Sequence, residues 1–170
     1  MIFKPGKYHI FSYGPPGKIY GIWGGYKIEI SYSYLSTGVR SIGFGSLFIT
    51  LYAENPTKRK LTIYKNNLFS KKKNHHYTNS KWDKKFSVES HPVQFAKAIL
   101  KHEQIRYSIM RSQIGKSLMR PIVKIYRSGE INIVRTDTMI TKKRIIQMLS
   151  LAEQLAMIMK DYHAQLSFTE

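Results

Sequence analysis

Six histidines, ten carboxylates and no cysteine are the groups from which this chain would have to build acid–base or metal chemistry. His75-His76 is the most suggestive pair, but adjacent residues do not share a face. No nearby His or Cys completes a ligand set, and the surrounding lysines repel cations, so solvated histidines are expected. His102 falls on the apolar stripe of a helix, where a partly buried, hydrogen-bonded imidazole is expected rather than a general base. Asp83, beside Trp82, reads as a partner for a neighbouring lysine or as a turn acceptor, and Asp137 as the entry to the last helix. Gln113-Ile114-Gly115-Lys116-Ser117 looks like the end of a phosphate loop. Met110, however, stands where that loop needs glycine, and a helix precedes it instead of a strand, so Gly115 reads as a helix stop. No two carboxylates are spaced for paired acid–base work. Without cysteine there are no disulfides, thiolate metal sites or thiol nucleophiles. The expectation is a protein that is not an enzyme, with no metal and no cofactor. An enzyme would need a pocket joining Asp83 or His102.

What remains is charge. Residues 58–85 hold Lys58, Arg59, Lys60, Lys65, Lys71, Lys72, Lys73, Lys81, Lys84 and Lys85 against Asp83 alone. Tyr64, Phe69, Tyr77 and Trp82 are interleaved, and Tyr77 and Trp82 are the candidates for stacking on unpaired bases while lysines follow phosphates. The same mixture suits acidic lipid, at about 1 kcal/mol per basic residue near the surface. Over the whole chain 28 Lys and Arg outweigh 10 Asp and Glu, a net charge of +18. An A/T-rich genome would inflate lysine but would not deplete acids, so the excess points to an anionic partner.

The elements that must carry this surface follow from periodicity. Lys7 to Tyr13 reads as a strand ended by Gly14-Pro15-Pro16-Gly17. From Tyr26 to Tyr34 apolar and polar residues alternate, the pattern of a half-buried strand. Leu35 to Gly45 reads as a loop. Ser46 to Ala53 is apolar on both faces, which predicts a central strand covered on both sides. A turn at Asn55-Pro56 and a strand over Leu61–Tyr64 follow, then a basic mobile loop at 66–80 and a strand over Lys84–Ser90.

Pro92 fits a first helical turn, and a single helix is expected from Pro92 to about Ile114, with Phe95, Ala98, Ile99, His102, Ile105 and Ile109 as its stripe. Ile122–Tyr126 and Ile131–Val134 around Arg127-Ser128-Gly129-Glu130 form a hairpin. A last helix, capped by Thr138 or Thr141, runs to about His163. Its apolar residues cover more than one face, which predicts deep burial or pairing in a homo-oligomer. Strands and helices do not alternate, so the fold class is α+β: an antiparallel sheet of about five to seven strands with two long helices packed on it. A chain of 170 residues makes one domain, 1–170.

Three stretches resemble a loosely defined group of uncharacterised bacterial proteins whose soluble domain often follows transmembrane helices. They are Gly21-Ile22-Trp23-Gly24-Gly25-Tyr26-Lys27-Ile28, the run from Trp82 to Pro92 with its Phe86-Ser87-Val88, and the closing hairpin and helix. His91 departs from the acidic cap of that pattern, and no transmembrane segment is present. The resemblance implies an α+β domain near a membrane and brings no activity with it. Neither a signal-peptide layout nor an apolar run of roughly 20 residues occurs, so a cytoplasmic, membrane-associated location is expected. The expected function is a non-catalytic accessory domain whose basic face meets an anionic surface or polymer, acidic lipid first and nucleic acid as the alternative, or another protein.

Overall fold

The computed structural model describes residues 12–13, 17–35, 44–66, 81–112, 121–137 and 141–167. In chain order the strands are β1 (Ser12–Tyr13), β2 (Lys18–Trp23), β3 (Tyr26–Leu35), β4 (Phe44–Tyr52), β5 (Lys60–Lys65), β6 (Phe86–His91), β7 (Pro121–Ile125) and β8 (Glu130–Asp137). The helices are α1 (Lys81–Lys85), α2 (Val93–Leu100), α3 (Glu103–Ser112) and α4 (Lys142–Ser167). All strands join one antiparallel sheet in the order β1-β2-β3-β4-β8-β7-β5-β6. The class is α+β, as the period-two runs and the absence of strand–helix alternation predict.

Residues opposite one another across a ladder share a face. Ile28, Leu51, Ile131, Ile125 and Leu61 form one row across five strands. Ile30, Ile49, Ile133, Val123, Ile63 and Val88 form the next row across six. All are buried, under α4 and α2. The opposite rows carry Tyr20, Glu29, Thr50, Asn132, Lys124, Thr62 and Glu89, and Ile22, Lys27, Tyr52 and Glu130. Tyr52 is 42% exposed. Among the described residues, helices cover only one side of the central strand β4, against expectation. Phe48, Thr50 and Tyr52 are apolar enough to resemble a second buried face, yet no described helix lies over them.

Among the described residues one long helix is present, not two. The segment expected to be continuous from Pro92 breaks between α2 and α3. Arg106 donates from Nη1 to the carbonyls of Leu100 and, at 3.2 Å, of Lys101, taking the place of helical amides there. Its cation also suits the negative end of α2. The amides of Ile105 and Arg106 turn instead to the His102 carbonyl, at 3.1 and 3.3 Å, and start α3. Neither Gly nor Pro marks this corner. The predicted stripe survives it: Phe95, Ile99, Ile105 and Ile109 are all buried.

Several strand and helix ends shift by a few residues, and two of the shifts fall at the junction into α2. Lys84 and Lys85 belong to α1 and the strand starts at Phe86. Pro92 sits at the N-cap of α2 in an extended conformation rather than inside the first turn.

Helix α4 is buried over a broad face by Met148, Leu149, Leu151, Ala152, Leu155, Ala156 and Met159, so burial in its own core accounts for its apolar width. It starts at Thr141, whose carbonyl accepts from the Arg144 amide at 3.0 Å. Asp137, expected at this entry, instead ends β8 opposite Gly45. Gly24 and Gly25, both at positive φ, close the two-residue β2–β3 hairpin. Trp23 Nε1 then donates to Glu153 Oε2 at 2.8 Å and ties that hairpin to α4.

At the same end of the sheet Asn55 is buried between two loops. Its Nδ2 donates to the carbonyls of Arg59 (2.8 Å) and Tyr126 (2.9 Å), and its Oδ1 accepts from the Arg59 amide (3.2 Å). Asn55→Ala should cost about 2–3 kcal/mol, because two carbonyls and one amide lose their partner in a site closed to water. A urea titration reads the shift, and a change under about 0.5 kcal/mol would contradict the assignment.

Candidate functional site

The predicted cations split into two groups. Strand β5 spans six residues, so Lys60 and Lys65 are roughly 17 Å apart along it. Lys58, Arg59 and Lys60 sit at its start, beside the Asn55 loop and the β7–β8 turn. Lys65 lies at its other end, opposite Phe86, where α1 places Lys81, Lys84 and Lys85, all three exposed. Lys71, Lys72, Lys73 and Tyr77 lie outside the described residues, as do His75-His76, Gly115 and all of 66–80 except Asn66.

Asn66 holds α1 in place. Its backbone N–H donates to the Lys85 carbonyl at 2.8 Å. Its Nδ2 reaches the Asp83 and Lys84 carbonyls at 3.4 and 3.3 Å, and its Oδ1 accepts from the Ser87 hydroxyl. The carbonyls left over at the end of a helix of five residues are thus satisfied by one residue, through its backbone N–H and its side-chain amide. Trp82 anchors the same turn from within: it is 2% exposed, with its ring 4.8 Å from Phe86. Trp82 is therefore a core residue, not a platform on which a base stacks. Asp83, read from the sequence as a lysine partner or a turn acceptor, is also buried. The outward side of α1 is left to its lysines.

Helix α4 adds to that end. Strand β8 runs parallel in space with β5, from Glu130 to Asp137, and α4 begins five residues later with Lys142, Lys143 and Arg144. Its first turn holds no acid. Cations at a helix N-terminus face its positive dipole end, an arrangement that costs a few tenths to about 1 kcal/mol each.

The open face of the sheet is close to neutral. Lys18, Lys27, Lys60 and Lys124 stand on it against Glu29, Glu89 and Glu130. Lys18 pairs with Glu29 at 2.8 Å, which holds its ammonium above the usual lysine range, and Lys124 lies over the Tyr126 ring at 4.2 Å. The charge excess belongs to the sheet ends, and most clearly to the end carrying α1 and the start of α4.

Two histidines escaped their expected settings. His102 is exposed at the α2–α3 corner instead of partly buried, and the two cavities it lines there do not include Asp83. His163, unremarked in the sequence, lies near the end of α4 with Nδ1 2.9 Å from Thr57 Oγ1. Burial, with Arg59 nearby, lowers its pKa below the usual imidazole value, and Tyr162 flanks its ring at 6.3 Å. The folded state therefore takes up a proton less readily than the unfolded chain. The contribution is fully present above about pH 6.5 and is lost as pH falls below that, by at most about 1.4 kcal/mol per pH unit for one proton. Urea midpoints between about pH 7.5 and 5.5 should fall for the native chain and flatten in His163→Gln; equal slopes would contradict this.

Among the described residues no group of three His, Asp or Glu side chains is placed to hold a metal ion, and no helix is long and apolar enough to cross a membrane. No family model, curated protein or solved structure matches this chain, so the resemblance to bacterial membrane-linked proteins rests on the three sequence stretches alone.

Proposed function

We propose that this chain is a non-catalytic accessory domain that docks onto an anionic surface through one end of its sheet, with acidic phospholipid headgroups as the partner. One observation carries this. By the strand ladder, Lys65, Lys81, Lys84, Lys85, Lys142, Lys143 and Arg144 lie toward a single end, against Asp83, which is buried, and Asp137 at the end of β8. Three of these cations sit where the helix dipole disfavours them, a cost that an anionic surface offsets. Burial of Trp82 removes a base-stacking platform and so favours a surface of headgroups over unpaired nucleic acid.

Sedimentation with phosphatidylcholine vesicles, with and without phosphatidylserine, tests the assignment. The chain should pellet with the anionic vesicles alone and be released by salt. Equal partition into both, or into neither, would overturn it. A shift of DNA or RNA with a log–log salt slope near −3.5 to −4.5, the value for about five neutralised phosphates, would favour nucleic acid as the partner instead.

A further inference from the structure

The buried face of α4 accounts for its apolar width, but its outer side differs from the rest of the surface. Lys143, Gln147, Ser150, Gln154, Met157 and Asp161 recur at alternating steps of four and three, the spacing that keeps a seam in line along a helix. At 3.6 residues per turn they lie opposite Met148, Ala152, Leu155 and Met159, which face the core. Of the whole chain 22% is charged, yet from Ile145 to Met159 the only charged residue is Glu153, which Trp23 Nε1 engages at 2.8 Å. The outer stripe is therefore uncharged between its ends. Met157 on it is 54% exposed. Lys143 and Asp161 close it, both exposed and neither in an ion pair among the described residues.

Those two ends make the stripe complementary to itself. Lys143 and Asp161 are eighteen positions apart, about 27 Å along the axis, and their midpoint falls between Ser150 and Gln154. A second α4 laid in the opposite direction about that midpoint sets each Lys143 against the other copy's Asp161. Gln147 then meets Met157, and Ser150 meets Gln154. A parallel arrangement would set Lys143 against Lys143 and Asp161 against Asp161, which like-charge repulsion disfavours. Polar residues at seam positions fix register, a role open here to Ser150 and Gln154. Two chains of net charge +18 repel, so they can meet only where unpaired cations are few. Screening over about 8 Å at physiological ionic strength makes the local stripe, not the total charge, decide.

We infer that the outer face of α4 is the seam of a homodimer, in which two copies of this chain pair antiparallel about a twofold axis between Ser150 and Gln154. Of the cations assigned to the docking surface, the seam takes up Lys143 and leaves Lys65, Lys81, Lys84 and Lys85 aside.

Sedimentation equilibrium of the full chain in lipid-free buffer tests the inference, and its outcome is separate from that of the vesicle assay. A reversible dimer should form with a Kd on the order of 10 μM. Ser150→Arg, which puts a cation at the centre of the seam, should weaken it by at least about tenfold with the far-ultraviolet circular dichroism unchanged. Lys143→Glu and Asp161→Lys should each weaken it to a similar degree, and Lys143→Glu/Asp161→Lys should return to within about threefold of the native chain. A monomer at about 100 μM, a dimer indifferent to Ser150→Arg, or a double exchange no tighter than the single ones would overturn it.

Discussion

Replacing Phe95 by alanine is expected to remove about 3–5 kcal/mol of folding stability. Phe95 is the largest side chain with no exposed surface, and its ring lies 5.4 Å from that of Tyr162, joining α2 to α4. Truncation loses the transfer free energy of the ring and leaves a cavity between two helices that the sheet beneath keeps from closing. The neighbouring Gln94 is exposed and serves as the control, since Gln94→Ala should stay within about 0.5 kcal/mol. Urea unfolding of both variants decides the point. A loss below about 1 kcal/mol for Phe95→Ala would mean that the α2–α4 contact is not part of the core.

Gly129→Ala should cost about 3–4 kcal/mol, and for a reason a second glycine, Gly25, can isolate. Gly129 has φ +96°, and a Cβ built on it would stand 1.8 Å from the Ala53 carbonyl oxygen. That oxygen belongs to backbone fixed by the bond from the Ala53 amide to the Gly129 carbonyl at 3.1 Å, so it cannot step aside without breaking the junction between β4 and the β7–β8 turn. Gly25 has a similar φ of +86° with nothing within 4 Å of the same position. Gly25→Ala therefore reports the left-handed strain alone, about 1–2 kcal/mol. The difference between the two variants measures the backbone collision. Equal losses would show that strain, not contact, accounts for both.

The hairpin that carries Gly129 was legible because its signals are local: two short apolar runs around a Ser-Gly turn. The strand from Tyr26 and the burial of α4 were legible for the same reason, since periodicity reports which residues share a face. The corner at His102 was not. It depends on a guanidinium four residues further on reaching back to two carbonyls, and nothing in Leu100-Lys101-His102 distinguishes it from helix. Trp82 was misplaced because an indole among lysines has the composition of a stacking site. Its burial is decided by Phe86 and the turn that Asn66 closes.

The candidate surface shows the same division. A charge count over residues 58–85 finds the lysines, but β5 then carries Lys58, Arg59 and Lys60 to one end of the sheet and Lys65 to the other. Lys142, Lys143 and Arg144, distant in sequence, join the second group only through the antiparallel ladder.

Anionic-vesicle partition of two charge-matched triple variants tests most directly whether one end of the sheet is the docking surface. Lys81→Gln/Lys84→Gln/Lys85→Gln removes three exposed cations from α1, and Lys27→Gln/Lys58→Gln/Lys60→Gln removes three from the opposite end. At about 1 kcal/mol per cation near the headgroups, the first should lose roughly a hundredfold in partition coefficient, while the second stays within about threefold of the native chain. Equal losses in the two variants, or no loss in either, would contradict a docking surface at the α1 end.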